Sequence, residues 1–297
     1  MVNRRQFQKA VSFSKRNRLV QFLLNPLKIL KYLFFTRFPF LTGKGIAWRA
    51  NLFFGKNISG VFPDVVFSYL YLYGYSEEEL TTMVLKYLKP GMTFFDIGAH
   101  IGYESVLASV IVGKTGKVYS FEPTPSTFEQ LFSNVKKFRN VFAYPLAAWS
   151  KTQDLNFLDY GPFYAGCNSY REARMSEEHL KKIIPKKLRV KAVSLDDFCK
   201  IFRIKPDFVK IDAESAELDV LKGMQTVIQK NKPIISIEIG DKEVPSRKGS
   251  RACIKLLEKL GYIAYDIEDG KIRQHKLKSS YHLIYDNLLF LPKREAK

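Results

Sequence analysis

Apolar and polar residues follow two rhythms along this chain. From Thr93 onward, short runs rich in Val, Ile, Phe and Tyr alternate with stretches whose apolar positions recur every three or four residues. A short apolar run bounded by turn residues marks a strand, and the longer period marks a helix with one buried face. This pattern predicts strands at 93–97, 117–121, 141–146, 207–211, 234–239, 262–265 and 287–291, and helices at 103–112, 126–138, 217–229 and 252–260. Upstream, 61–75 is dense in Val, Phe, Tyr and Leu and reads as one or two strands. Ser76 followed by Glu79 forms a capping box, opening a helix with Leu80, Val84 and Leu88 on one face, and Pro90-Gly91 stops it. Strands alternating with helices predict an α/β fold, a mostly parallel sheet with helices on both faces. Between Ser150 and Lys191 the alternation loosens, and GPFYAGCNSY within this insertion is a candidate wall of a substrate site.

Charge divides the chain in a way that periodicity does not. The protein has 297 residues and a formal net charge of +19. Its first 63 residues hold twelve Lys and Arg and no Asp or Glu. The same segment is greasy: RLVQFLLNPLKILKYLFFTRFPFL runs from Arg18 to Leu41. A membrane-crossing helix needs about 20 predominantly apolar residues, and Lys28, Lys31 and Asn25-Pro26 interrupt this one. No small-residue cleavage site follows, which argues against a signal peptide. Pro26 suits a first helical position, placing Lys28 and Lys31 on one side and Leu27, Leu30, Leu33 and Phe34 on another. Residues 1–60 therefore read as a basic amphipathic arm suited to an anionic membrane surface, and 61–297 as the globular domain. The density of Leu and Phe argues against a nucleic-acid arm. Cys167, Cys199 and Cys253 lie far apart, with neither metal-ligand spacing nor a paired framework, so a reducing compartment is expected. The expected location is cytoplasmic, with the arm peripheral on the inner face of a membrane.

The candidate chemistry gathers at strand ends. In open α/β sheets, ligands bind beyond the carboxyl ends of the strands, where the strand order reverses. Asp96, Glu122, Asp212 and Glu238 all stand at or just past such ends, in FFDIGAHIGYES, VYSFEP, FVKIDAES and IISIEIG. Gly98 and Gly102 let the backbone pass close to a ligand just before a helix begins. A dinucleotide fingerprint would read Gly-x-Gly-x-x-Gly, which GAHIG does not supply. An acid ahead of the glycines also suits the ammonium of a methionine moiety better than a pyrophosphate. Glu122 is then placed for ribose hydroxyls, and His100 for a loop contact to the cofactor. Asp212 and Glu238 are the candidate catalytic bases. No residue pattern demands a metal, and none is assigned.

The ordered run GMTFFDIGAHIGYES, VYSFEPTP, VSLDDF, FVKIDAESAELDVLKGM and PIISIEIG resembles the FkbM family of S-adenosylmethionine-dependent methyltransferases. The resemblance covers about residues 75–292. It implies a seven-stranded Rossmann-like class I methyltransferase fold, S-adenosyl-L-methionine as cofactor, and transfer to a hydroxyl oxygen on a glycan, glycolipid or related metabolite. His100 stands where the family often has Asn, and Ser215 where it commonly has Gly. Two other readings are a non-catalytic, membrane-associated Rossmann-like ligand-binding protein and a nicotinamide-dependent oxidoreductase. Asp96 ahead of the glycines speaks against the latter. IDAES, in place of an Asp-Pro-Pro-aromatic signature, speaks against methylation of nucleic-acid bases.

Overall fold

The computed structural model describes residues 2–170, 183–240, 249–268, 270–279, 281 and 286–293. Three helices open the chain: α1 (Arg4–Ser14), α2 (Arg18–Leu24) and α3 (Pro26–Thr42). An antiparallel hairpin follows, β1 (Ile46–Asn51) with β2 (Asn57–Phe62), then α4 (Val65–Tyr73) and α5 (Glu78–Tyr87). The alternating part begins with β3 (Thr93–Ile97), α6 (Tyr103–Val112), β4 (Lys117–Phe121), α7 (Pro125–Val135) and β5 (Val141–Tyr144). An excursion of β6 (Ala147–Ala148), β7 (Gln153–Asp159) and β8 (Lys186–Val193) makes a separate three-stranded sheet. After α8 (Leu195–Phe202) come β9 (Phe208–Ile211), α9 (Glu217–Lys222), α10 (Gln225–Asn231), β10 (Ile234–Ile239) and α11 (Gly249–Lys259). The chain closes with β11 (Tyr262–Glu268), β12 (Lys271–Gln274) and β13 (Asp286–Pro292).

The main sheet has the order β12-β11-β13-β10-β9-β3-β4-β5. Strands β5, β4, β3, β9 and β10 pair in parallel, and β13 inserts antiparallel between β10 and β11. The chain winds outward from β3 to β5, then returns to β9 on the other side of β3. The reversal point thus lies between β3 and β9, as an open doubly wound sheet requires for a ligand crevice. The sheet has eight strands rather than seven. A turn carrying Gly270 at φ 74° lets the chain fold back after β11, and β12 pairs with it antiparallel.

Alternation along each strand fills two cores. Phe94 faces the one built with α5, α6, α7 and the N-terminal helices, and Phe95 faces the one built with α8 to α11. Within the second core, the Phe198 ring meets Phe121 at 5.0 Å, Tyr144 at 5.1 Å and Phe95 at 6.1 Å, each near edge-to-face. That geometry favours aromatic pairs beyond simple burial.

Several elements differ from the sequence expectation. Residues 61–75 are mostly the helix α4, not strands. Asp64 caps it by accepting from the Phe67 N–H at 2.7 Å, and Gly74 at φ 76° ends it. The capping box at Ser76 does not form. Glu77 takes the cap position with no side-chain cap bond, and its carboxylate instead accepts from Asn287 Nδ2 at 2.7 Å. The helix expected at 217–229 is two helices. Gly223 separates them where a Cβ would lie 1.9 Å from the Trp149 carbonyl oxygen. Residue 60, where the composition changes, falls inside β2, and Phe7 of α1 is buried in the same core as Phe94.

Phe198→Ala removes the ring on which three strands converge. It is expected to destabilise the protein by about 3–5 kcal/mol, read as a lower urea midpoint with an unchanged slope.

Candidate active site

A cavity of about 1100 Å³, including its open mouth, lies beyond the carboxyl ends of β3, β4, β9 and β10. Its floor is the loop Gly98-Ala99-His100-Ile101. Gly98 has φ 70°, and a Cβ there would sit 1.7 Å from the Asp212 carbonyl oxygen, so no side chain fits. The Gly98 and Ala99 N–H groups both donate to the Phe121 carbonyl at 3.0 Å, folding the loop toward β4. Glu122 lines the cavity and also holds its floor. One carboxylate oxygen accepts from the His100 N–H at 3.1 Å, the other from the Thr124 N–H at 2.9 Å. Burial raises its pKa against these hydrogen bonds and the nearby His100.

Asp96 and Gly102 stand behind this surface rather than in it. Gly102, at φ 91°, starts α6, and a Cβ there would meet Leu131 of α7 at 2.6 Å, so its smallness serves helix packing. Asp96 is fully buried. It belongs to a polar row crossing four strands in one register: Ser120 of β4, Asp96 of β3, Lys210 of β9 and Ser236 of β10. Ser105 of α6 donates to Asp96 at 2.5 Å and lies 2.7 Å from Ser120.

Lys210 is the member of this row that sequence reading missed. It is 2% exposed. Its ammonium donates to the Gly98 carbonyl at 2.7 Å and lies 3.3 Å from Asp212 and 3.4 Å from Asp96. Burial alone would lower its pKa, but Asp212, Asp96, Glu104 and Glu77 together hold it well above the ordinary lysine value. The signal available was a lysine inside the otherwise apolar run FVKI, since a lysine is almost never fully buried unless paired.

Glu77 and Glu104 are two further cavity-lining acids that strand-end reasoning did not find. Glu104 is 8% exposed, and one of its oxygens is buried without a hydrogen-bond partner among the described residues. Burial pushes its pKa well up, with Glu77 and Asp96 adding to the shift and Lys210 opposing it. Burial, then the Asp212 charge, pushes Glu77 up to about 7. Four acidic side chains thus lie around one ammonium, and burial holds two of them, Glu77 and Glu104, toward the neutral form. A ligand carrying both an ammonium and a sulfonium fits this donor set, with Glu77 and Glu104 placed to hold it.

The far rim carries the candidate bases. Asp212, Glu214 and Glu238 bring carboxylate oxygens within 4.8 Å of one another. Three oxygens at that spacing can also share a divalent cation. Glu214 and Ser215 have φ of 45° and 77°. Glu217 stabilises the turn by accepting from the Ala213 and Ser215 N–H groups at 3.3 and 3.1 Å. His100 has φ 48°, neither ring nitrogen has a hydrogen-bond partner among the described residues, and Nε2 lies 3.7 Å from Asp64. The insertion supplies the opposite wall through Leu155, Phe157, Ala165, Asn168 and Tyr170. Within GPFYAGCNSY, Asn168 accepts from the Tyr160 N–H at 2.7 Å and so fixes the base of that loop. Residues 171–182 of the same insertion lie outside the described residues.

The chain is similar in sequence to proteins named as methyltransferases. Hexuronic acid methyltransferase AglP of Haloferax volcanii is 27% identical over 167 residues, 55% of this chain and 63% of AglP. A probable cobalt-precorrin-6B C(15)-methyltransferase (decarboxylating) of Sulfolobus acidocaldarius is 40% identical over 70 residues, 22% of this chain and 36% of its own length. The alignments thus span less than two thirds of either relative. Among solved structures, the methyltransferase FkbM of Methylobacillus flagellatus has a TM-score of 0.43 at 16% identity, covering 75% of this chain and 52% of that one. Fibrillarin of Aeropyrum pernix, solved with natively bound S-adenosyl-L-methionine, has a TM-score of 0.42 at 13% identity, covering 71% and 73%. The methyltransferase FkbM domain matches residues 96–264, more than half of the chain, a span that includes the glycine loop, Glu122, Lys210 and the Asp212–Glu238 rim. The chain belongs to the FkbM methyltransferase family, and its cofactor is S-adenosylmethionine.

Proposed function

We propose that the protein transfers a methyl group from S-adenosylmethionine to a hydroxyl oxygen of a sugar, on a glycan, glycolipid or related metabolite. The observation that carries this reading is the convergence of Asp212 and Glu238 on the rim above the glycine loop. AglP, named for a hexuronic acid, supports a sugar as acceptor. Family membership speaks against the nicotinamide oxidoreductase and the non-catalytic binder.

The cofactor supplies an electrophilic methyl carbon on a sulfonium. The chain has three tasks around it. Gly98, His100 and Glu122 shape the bed for the nucleoside end. Glu77 would hold the cationic end by charge once ionised, and Glu104, kept toward its neutral form by burial, would offer it a carboxyl oxygen. Asp212 or Glu238 would take the acceptor's proton as its oxygen bonds to the methyl carbon and the carbon–sulfur bond breaks, leaving S-adenosylhomocysteine, a contribution of ~10²–10⁴-fold. Lys210 fixes Asp212 against the loop and so positions the base. Alignment of acceptor and methyl within the cavity supplies much of the remaining acceleration.

Three outcomes test this reading. Glu122→Ala frees two loop N–H groups and removes the ribose acceptor. A lost charged partner costs ~1–3 kcal/mol, so calorimetry should show S-adenosylmethionine binding weakened about tenfold or more.

Affinity should also depend on pH. With Glu77 poised at about 7 in the free protein, a cationic ligand favours its ionised form. Binding should therefore tighten as pH rises through about 7 and level off above it. The free protein should respond with the opposite sign: a carboxyl raised above its unfolded value contributes stability at low pH that is lost as pH rises through about 7. The thermal shift given by the cofactor should thus grow with pH, and Glu77→Gln should flatten that growth.

Asp212→Asn keeps shape and removes charge. Cofactor affinity is expected to persist while turnover on an acceptor sugar falls ~10²-fold or more. Near-normal turnover would assign the proton to Glu238 or leave the site to act by positioning alone. Loss of wild-type activity with a chelator would put a divalent ion on the rim. A product methyl group stable to mild alkali would be the ether expected of a hydroxyl acceptor, whereas an alkali-labile ester would move the reaction to a sugar carboxylate.

A further inference from the structure

The N-terminal helices present a face that the fold leaves uncovered. On α3, Leu27, Leu30, Phe34, Phe38 and Leu41 recur at helical spacing, and all are exposed, from 39% at Phe38 to 84% at Leu41. The opposite side of the helix packs on the core through Ile29, Tyr32 and Phe35. The apolar stripe therefore points outward by necessity, because the helix is already docked by its other face. On α2, Leu19 and Leu23 are likewise exposed. Monomeric surfaces rarely leave so many large apolar side chains together without a partner.

The charges beside the stripe identify the partner's chemistry. Helical spacing puts Lys31 on one border of the stripe and Arg37 on the other, both exposed. The Lys31 ammonium lies 5.9 Å from the Trp48 ring centre, so the lysine leans along the border with an aromatic neighbour. Lys28, expected from the sequence to share an outward basic face, is turned further in: its ammonium lies 5.6 Å from the Tyr71 ring, and burial lowers its pKa. Arg18, Lys44 and Arg49 add exposed positive charge, and no acid occurs before Asp64, which is buried. A second copy of the chain would bring like charges together with no acid on the arm to pair them. No helix among the described residues is long and apolar enough to cross a membrane. A flat apolar stripe between two basic borders is the form of a helix lying in a bilayer interface.

We propose that the outer face of α2 and α3 docks on an anionic lipid bilayer, with Leu27, Leu30, Phe34, Phe38 and Leu41 entering the acyl boundary and Lys31 and Arg37 meeting lipid phosphates. The docked face is joined to the cavity wall. Phe40 of α3 stacks edge-on against Phe163 at 5.6 Å, two residues before Ala165 lines the cavity, and α4, which packs on α3, contributes Val66 to that lining. Docking on a bilayer would therefore bring the substrate wall close to the membrane.

The test uses the full-length chain and does not depend on the catalytic reading, because S-adenosylmethionine binding is measured in the same samples. The protein is floated with vesicles of phosphatidylcholine alone or mixed with phosphatidylglycerol. Binding is expected with the anionic vesicles and at least tenfold less with the neutral ones. High salt should weaken it without abolishing it, since the apolar contribution is not screened. Leu30→Ser with Phe34→Ser, both exposed, should leave cofactor binding intact and lower the vesicle binding that persists at high salt at least threefold. Lys31→Glu with Arg37→Glu should lower binding at low salt at least tenfold, as expected for reversed charges beside an anionic surface. Wild-type protein that binds cofactor but stays with the non-floating fraction in the presence of anionic vesicles at low salt would overturn the proposal. So would a concentration-dependent dimer that Leu30→Ser with Phe34→Ser converts to monomer, which would assign the face to a second copy.

Discussion

One buried ammonium joins the two central strands at the place where the sheet reverses its winding. Lys210 of β9 faces Asp96 of β3 in register and reaches past it to the Gly98 carbonyl. A lone charge at that depth would cost several kcal/mol, and its partners must be in place for the strands to close. The glycine loop is consequently tied to β9 as well as to its own strand. Asp212, at the end of β9, is tied to the loop in turn. The cavity floor and the candidate base are thus held by the same cation, and neither depends on a surface loop for its position.

Much of this architecture was legible in the sequence, for identifiable reasons. The limits of β3, β4, β10 and α6 follow directly from apolar runs cut by glycine and proline. The helix α4 was misread because it is apolar on nearly every side: Phe67, Leu70, Tyr71 and Leu72 are all buried, so no polar face marks the helical period. The hairpin β1–β2 was hidden in a stretch whose positive charge dominated its reading. Helices α9 and α10 merged because Gly223 acts through a contact with Trp149, distant in sequence. At the site, the strand-end acids were visible from position alone. Glu77 and Glu104 were not, because an acid at the cap or in the first turn of a helix is routine there, and only the fold turns both toward the cavity.

The two departures from the family pattern gain a physical meaning from backbone geometry. His100 and Ser215 both occupy the left-handed region, at φ 48° and 77°. Asn tolerates that conformation and Gly adopts it freely. The chain holds both positions by supplying partners to their amides: Glu122 accepts from His100, and Glu217 from Ser215. Each carboxylate therefore restrains a strained turn at the edge of the cavity. The site is kept in shape by acids that also line it or stand at a helix start.

The polar row across β4, β3, β9 and β10 also constrains how this protein can change. Lys210 answers to residues on three different segments, so replacing it alone removes the buried ammonium beside Asp96 and Asp212, and replacing Asp96 alone takes from Lys210 one of its close carboxylates and from the Ser105 hydroxyl the acceptor of its hydrogen bond. Substitutions within such a network are not additive. A variant with an apolar residue at 210 takes their shared cation from Asp212, Asp96, Glu104 and Glu77 together, so a change at 96 alone does not compensate it. Sequence drift in the centre of the sheet must therefore move in concerted sets, while the apolar residues on either side of the row can exchange one at a time.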